Sequence, residues 1–275
     1  MIKISIIIPT YKPKSYLQEC LESLAKQTFA KKDFEIILVL NGCNEPYKKN
    51  IEQYIGNNMN GINLTFIHTK EGGVSNARNI ALEQAKGEYI TFVDDDDIVS
   101  TDYLKELYKA ASPSTISLSR TISFKDGEYK DTDKTIDPIY NKLYQQKTIK
   151  LNKARKYFSG PCMKLIPINF IQGRKYDTRF KNGEDSIFMF LISDKIRAIN
   201  VASPNAIYYR RIRKGSATTS NRTKLEILIN NLRVIGAYSQ IYFKKPQNYN
   251  FLFFTTRILA AIHSTIVGIK NSISL

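Results

Sequence analysis

The sequence predicts an α/β fold: a mainly parallel sheet flanked by helices, followed by a basic helical tail. Three observations predict it. Short β-branched runs alternate with helix-period segments over residues 2–97, and each run stops abruptly, at Pro, at Asn-Gly or at a run of Asp. The last quarter of the chain then changes to long helical periodicity with almost no acid. Strand–helix–strand alternation is the pattern that a parallel sheet with helical crossovers produces.

Ile2-Lys3-Ile4-Ser5-Ile6-Ile7-Ile8, stopped by Pro9, reads as a buried strand. Tyr16 to Gln27 places Leu17, Cys20, Leu21 and Leu24 on one helix face. Phe34 to Leu40 is a second strand, ending in Asn41-Gly42, and a helix follows around Tyr47 to Ile55. Leu64 to Ile67 is a third strand, and Gly72-Gly73 leads into a helix over Ser75 to Gln84. Tyr89 to Val93 is the fourth, ending in Asp94-Asp95-Asp96-Asp97. Ligands of such sheets lie beyond the carboxyl ends of the strands. Pro9-Thr10-Tyr11, Asn41-Gly42 and the Asp run are therefore expected to meet in one crevice. Ser112 to Tyr144 alternates β-branched pieces with Lys/Asp-rich turns and reads as further strands. In the tail, Leu225, Leu228, Ile229, Leu232, Ile235 and Tyr238 or Ser239 recur at helical spacing. After Lys244-Lys245-Pro246, Phe251, Phe254, Ile258, Ile262, Ile266 and Ile269 form one stripe, with Arg257 and His263 expected away from it.

At 275 residues and 31.5 kDa the chain has room for one large domain with an appendage. Its 43% hydrophobic and 24% charged residues exclude wholesale disorder. Three scattered cysteines, Cys20, Cys43 and Cys162, exclude a disulfide scaffold and suit a reducing cytoplasm. Met1 to Pro9 is too short for a signal peptide, and no clean apolar run of about 20 residues predicts a spanning helix. Charge is the abnormal quantity, with a net +16. From Arg210 to Leu275 eleven Lys/Arg face a single acid, Glu226. Such a balance predicts an anionic partner. Basic residues among exposed aromatics describe helices lying on an anionic membrane surface. Nucleic acid is not the expected partner: the chain has no helix-turn-helix signature, and the Asp run would repel phosphate.

Four consecutive carboxylates at a strand end repel one another unless cations compensate. A hard divalent ion such as Mn2+ or Mg2+ takes such oxygens, especially where phosphate supplies further ligands. Glu184-Asp185, after Gly183 and before Ile187-Phe188-Met189-Phe190, read as acids opening a helix. Cys162 reads as a packed thiol, with no histidine near it in sequence.

Ser5 to Ser100 resembles the nucleotide-sugar-binding half of family 2 glycosyltransferases, which have the Rossmann-like GT-A fold. The resemblance is carried, in order, by Ile8-Pro9-Thr10-Tyr11; Gln27-Thr28-Phe29 with Phe34-Glu35-Ile36-Ile37; Gly73-Val74-Ser75-Asn76-Ala77-Arg78-Asn79; and Gly87 to Asp97. Asn182-Gly183-Glu184-Asp185 and the late Tyr208-Tyr209-Arg210 with Gly215 to Thr218 extend it to about residue 220. The resemblance implies a catalytic domain over residues 1–220, with 1–100 binding the donor and 101–220 the acceptor, and a membrane-associating tail over 221–275.

It implies roles as well. Pro9, Thr10 and Tyr11 would border the nucleoside. Asp94-Asp95-Asp96 would be the DXD element, with Asp96 on the Mn2+ or Mg2+ ion and Asp94 or Asp95 on the ribose or close to the metal. Arg78 would add a cationic donor near the nucleotide. Asp185 would be the general base of an inverting transfer, with Glu184 as its substitute. Asn41 stands where many members carry an acid that meets uracil, and its side-chain carbonyl would accept that bond. Lys12 replaces the usual Asn. Arg210, Arg211 and Arg213, with Ser216, would grip the diphosphate in place of a metal-binding histidine. The implied activity is sugar transfer from a nucleotide sugar, such as a UDP-hexose or UDP-N-acetylhexosamine, to a lipid-diphosphate-linked saccharide. That would serve O-antigen or capsule assembly at the inner face of the cell membrane. A noncatalytic nucleotide-sugar- or membrane-binding module is the competing class.

Overall fold

The computed structural model describes residues 1–125, 137–146, 149–213 and 223–271. Strands β1 (Ile4–Thr10), β2 (Phe34–Asn41), β3 (Leu64–Thr69) and β4 (Tyr89–Phe92) are joined by helices α1 (Tyr16–Ala25), α2 (Tyr47–Asn58) and α3 (Val74–Gln84). All four strands run parallel, with Ile4 opposite both Phe34 and Tyr89. Every residue of β1 and β2 is buried, because helices cover both faces. Gly87 is required before β4, since a Cβ there would come within 2.5 Å of the Ser5 nitrogen.

The chain continues through β5 (Ile98–Val99), α4 (Tyr103–Ala110), β6 (Thr115–Leu118), β7 (Arg120–Lys125), α5 (Asp137–Tyr144), β8 (Lys164–Pro167), the single turn α6 (Ile168–Ile171), α7 (Glu184–Leu191), β9 (Ala198–Val201) and β10 (Ile207–Ile212). The main sheet has seven strands in the order β3-β2-β1-β4-β8-β6-β9, and β8 runs antiparallel to both its neighbours. The order reverses at β1 and β4, and the crevice beyond their carboxyl ends is the ligand position of such sheets. A second sheet, β5-β10-β7, starts directly after the Asp run and closes that crevice on one side.

Helices α8 (Lys224–Lys244) and α9 (Phe251–Asn271) form an antiparallel hairpin. Thr223 and Glu226 make a reciprocal capping box at the start of α8. Across the hairpin Tyr242 stacks on Phe254 at 4.3 Å, and Asn231 donates to the Thr265 hydroxyl at 2.9 Å. The half nearest the body surrounds Phe190 of α7 with the rings of Tyr238, Tyr249, Phe253 and Phe254.

The helices lie where the periodicity predicts, but their faces agree only in part. Leu225, Leu228, Ile229 and Leu232 are exposed, while Tyr238 of that stripe is buried and Val234 joins it. On α9 the buried face is Phe253, Phe254, Arg257 and Ala261, whereas Phe251, Ile262 and Ile266 point to solvent. Arg257 is thus on the packed face. Over Phe251–Gly268 the helix has a mean hydropathy of 1.5 and is long and apolar enough to cross a membrane by length and composition alone. Its inward residues are nevertheless fastened to the body.

Candidate active site

The carboxyl ends of β1, β2 and β4 meet through side chains. Asn41, buried at the end of β2, donates from Nδ2 to the Thr10 carbonyl at 2.8 Å and accepts from the Gly73 N–H at 2.9 Å. Gly42 follows at φ 65°, and a Cβ there would lie 2.8 Å from the Gly72 α-carbon, so glycine is needed for both reasons. The Thr10 hydroxyl in turn donates to Asp95.

The four aspartates after β4 have four different environments. Asp97 is buried and accepts from the Tyr208 hydroxyl at 2.6 Å and the Arg211 N–H at 2.7 Å, which fixes β10 to the turn. Asp96 is paired with the Arg213 guanidinium. Burial first, then the neighbouring Asp96 and Asp94, push Asp95 up to about 7, against the pull of the Thr10 hydroxyl. Asp94 keeps a half-exposed carboxylate, 3.4 Å from Arg78.

Arg78 organises the rest. It projects from α3, is buried, and reaches Asp185 Oδ1 at 2.5 Å with one terminal nitrogen while the other faces Asp94. One guanidinium therefore brings the end of β4 to the start of α7. Burial opposes its charge, but Asp185 and Asp94 more than offset this and hold its pKa above the ordinary arginine value. The Tyr176 ring lies under it, 5.3 Å from the guanidinium carbon, and stacks on Phe188 at 3.9 Å. Asn79 holds the Tyr176 backbone by two hydrogen bonds of 2.8 and 2.9 Å. Glu184, next to Asp185, is nine-tenths buried, and burial together with Asp185 pushes it up to about 7.

The remaining predicted residues divide into cleft-lining and structural groups. Tyr11 is exposed and lines a cleft with Lys12, Lys14, Tyr16, Asp96 and Arg213. Lys12 stands at φ 46°, a region Asn adopts more readily. Pro9 is buried within β1. The Asn41 carbonyl, expected at a base, accepts from the Gly73 N–H. One expectation is corrected. Arg211, expected on a diphosphate, is buried between the rings of Tyr16 and Phe124 and bonds Glu19 and the Asp96 carbonyl, so it holds the turn in place. Arg210, its neighbour on β10, is exposed. Ser216 lies outside the described residues. Cys162 is buried beside Asp94, and burial pushes its thiol well up, as a packed thiol requires. Tyr176 and Lys164 carry no role in the sequence pattern above; Lys164 had a signal, as a lone charge beside the apolar run of β8.

No group of three or more His, Cys, Asp or Glu side chains is arranged to hold a metal ion among the described residues. The residues present nonetheless fit one: Asp94, Asp95 and Asp96 follow one another at the end of β4, and such hard oxygen ligands suit Mg2+ or Mn2+.

Residues 5–170 match the family model for Glycosyl transferase family 2. The poly(ribitol-phosphate) β-N-acetylglucosaminyltransferase TarS of Staphylococcus aureus is 29% identical over 86% of the chain and 40% of its own length. Glycosyltransferase GlyG of Streptococcus pneumoniae is 30% identical over 78% of the chain and 72% of its own. The chain spans only 31% of another S. pneumoniae relative, GlyA. Among solved structures, S. aureus TarS 1–349 in complex with UDP-GlcNAc superposes with a TM-score of 0.68 at 22% identity, covering 98% of the chain and 82% of that structure. A Pyrobaculum calidifontis mannosyltransferase with GDP-Man and Mn2+ gives 0.61 at 14%, covering 99% and 75%. The sheet order, the crevice at β1 and β4 and the family match agree: the chain belongs to glycosyl transferase family 2.

Proposed function

We propose that the protein transfers a sugar, with inversion, from a UDP-hexose or UDP-N-acetylhexosamine to a hydroxyl of a phosphate-bearing surface polymer or its lipid-diphosphate-linked precursor. One observation carries this reading: Arg78 gathers Asp94, on the donor side, and Asp185, at the start of α7, around a single guanidinium. Tyr11 offers its ring to the nucleoside, and Lys12, Lys14 and Arg213 line the same cleft as cations for the diphosphate. Asp185 is held at Oδ1 by Arg78 and accepts the acceptor proton at Oδ2. The acceptor oxygen then bonds to the anomeric carbon, and the bond to the diphosphate breaks with its electron pair leaving on the nucleotide. A divalent cation at Asp96, with Asp94 and Asp95 beside it, supplies Lewis-acid stabilisation of that leaving group when bound.

The net charge of +16 supports an anionic acceptor. TarS acts on poly(ribitol-phosphate), and this moves the reading from O-antigen or capsule toward a polyol-phosphate polymer. The hairpin, basic and apolar on its outer face, supports placement on the inner face of the cell membrane. The test is a panel of UDP-GlcNAc, UDP-glucose, UDP-galactose and GDP-mannose. Each is offered poly(ribitol phosphate) or a synthetic lipid-diphosphate disaccharide, with Mn2+ or with EDTA. Transfer from a UDP-sugar, lost in EDTA, is expected. A panel in which no donor is transferred or hydrolysed would leave the noncatalytic module as the better reading, and a rate unchanged by EDTA would remove the metal.

A further inference from the structure

Arg257 lies on α9, beyond the residues that match the family model, and its side chain ends against the turn that leads to Gly160. It is 5% exposed. Its guanidinium lies over the Phe253 ring at 4.8 Å and donates to two main-chain carbonyls, Phe158 at 3.2 Å and Arg155. Its titratable neighbours among the described residues are Tyr238, Arg155 and Lys164, none of them a carboxylate. A buried cation without an acid partner is a costly means of fixing a helix to a body, and an apolar side chain would do that more cheaply. What the guanidinium adds is a fixed geometry for the carbonyls it binds.

Those carbonyls belong to a 3-10 turn, Arg155–Ser159, that leads directly into Gly160. A Cβ placed on Gly160 would lie 3.9 Å from Asp185 Oδ2, the oxygen that Arg78 does not take. From the other side Lys164, fully buried, donates from Nζ to the Gly160 and Cys162 carbonyls, both at 2.6 Å. Phe158 meets Phe253 edge to face at 5.8 Å. The 155–162 segment is therefore gripped at four carbonyls by two buried basic side chains, one of them supplied by the tail.

We propose that Arg257 is a positioning residue for the transfer: through the carbonyls of Arg155 and Phe158, α9 sets Gly160 against Asp185 and so shapes the space where the acceptor oxygen meets that carboxylate. This rests on the reading of Asp185 as the base. The test compares wild type, Arg257→Met, which fills a similar volume, and Arg257→Lys, which keeps the charge. It measures UDP-GlcNAc hydrolysis, with water in the acceptor's place, and amide hydrogen exchange. Arg257→Met is expected to leave KM for UDP-GlcNAc within about twofold and to lower kcat by about tenfold to a hundredfold, the scale of a small misplacement. Amides of 156–162 should exchange faster while those of β1 and β2 keep wild-type rates, and Arg257→Lys should recover part of kcat. An unchanged kcat, a change confined to KM, or faster exchange spread into β1 and β2 would each overturn the proposal, leaving Arg257 a packing residue. A wild type that cleaves none of UDP-GlcNAc, UDP-glucose and GDP-mannose would overturn it by a different route, through the loss of the glycosyl-transfer reading itself.

Discussion

At the carboxyl edge of the sheet, polar side chains make directed bonds across long stretches of chain: Thr10 with Asp95, Asn41 with the Gly73 N–H, Arg78 with Asp185. In the C-terminal hairpin the joints are mostly ring on ring, Phe190 among four aromatics and Tyr242 on Phe254. The two regions are specified by different forces. Hydrogen bonds and ion pairs demand particular atoms in particular directions, whereas apolar contacts demand area and shape. A change of one atom at the sheet edge should therefore alter chemistry and spare stability, and a lost ring in the hairpin should do the reverse. Arg257 is the exception that joins the two.

The largest effect should come from the sheet edge. Asp185→Asn keeps the shape and loses the proton acceptor, so kcat is expected to fall by about 10²- to 10⁴-fold. UDP binding, followed by calorimetry, should stay within about threefold, since general-base loss acts on the chemical step. A variant with full turnover would move the base to Glu184 and break the contrast at its strongest point.

The hairpin should respond in stability instead. Phe253 is fully buried against Phe158 and Phe190, and Phe253→Ala is expected to cost about 3–5 kcal/mol. Denaturant unfolding measures it. A loss below about 1 kcal/mol would mean that the inner face of α9 is not part of the core.

How far each region was legible follows from the same physics. In β1 and β2 the apolar run is buried on both faces, so no choice of side arose and the strands could be read directly. In α8 and α9 apolar residues occupy both faces, and periodicity alone could not say which would pack. Arg257 reads from sequence as a solvated arginine, and only the carbonyls of Arg155 and Phe158 reveal why it is inside. At the site, the Asp run and Glu184-Asp185 were visible as unusual acids at element ends. The bridging position of Arg78 was not, because nothing local in sequence marks a contact between residues 107 positions apart. The bond from the Gly73 N–H to Asn41 was hidden for a similar reason: a contact between a strand end and a helix start leaves no periodic trace.

A third expectation concerns Glu184, which lies between the two regions at the start of α7. Held near 7 by burial and by Asp185, it keeps its proton in the folded protein at pH values where the unfolded chain has released it. Stability from this group is present below the ordinary glutamate range and is lost as pH rises toward 7. Melting temperature should drop by about 5 °C between pH 4.5 and 7.5, and Glu184→Gln should flatten that slope. An identical slope in the variant would place the titration elsewhere.

The smallest effect on stability, and the sharpest test of the hairpin's outer face, comes from Leu259, Ile262 and Ile266. These side chains are 58%, 43% and 50% exposed, so replacing all three with Ser removes little buried area. Melting should shift by no more than about 2 °C, as for surface substitutions away from special features. If this face meets a bilayer, the same variant should lose co-sedimentation with liposomes. Each nearby Lys or Arg is attracted to anionic lipid by about 1 kcal/mol, and the hairpin exposes Lys224, Arg233, Lys244 and Lys245. Wild-type binding should therefore depend on anionic lipid and weaken with salt, while the apolar contribution persists. Salt-sensitive binding that survives the triple Ser variant would assign attachment to the cations alone, and equal pelleting with neutral vesicles would assign it to the apolar face alone.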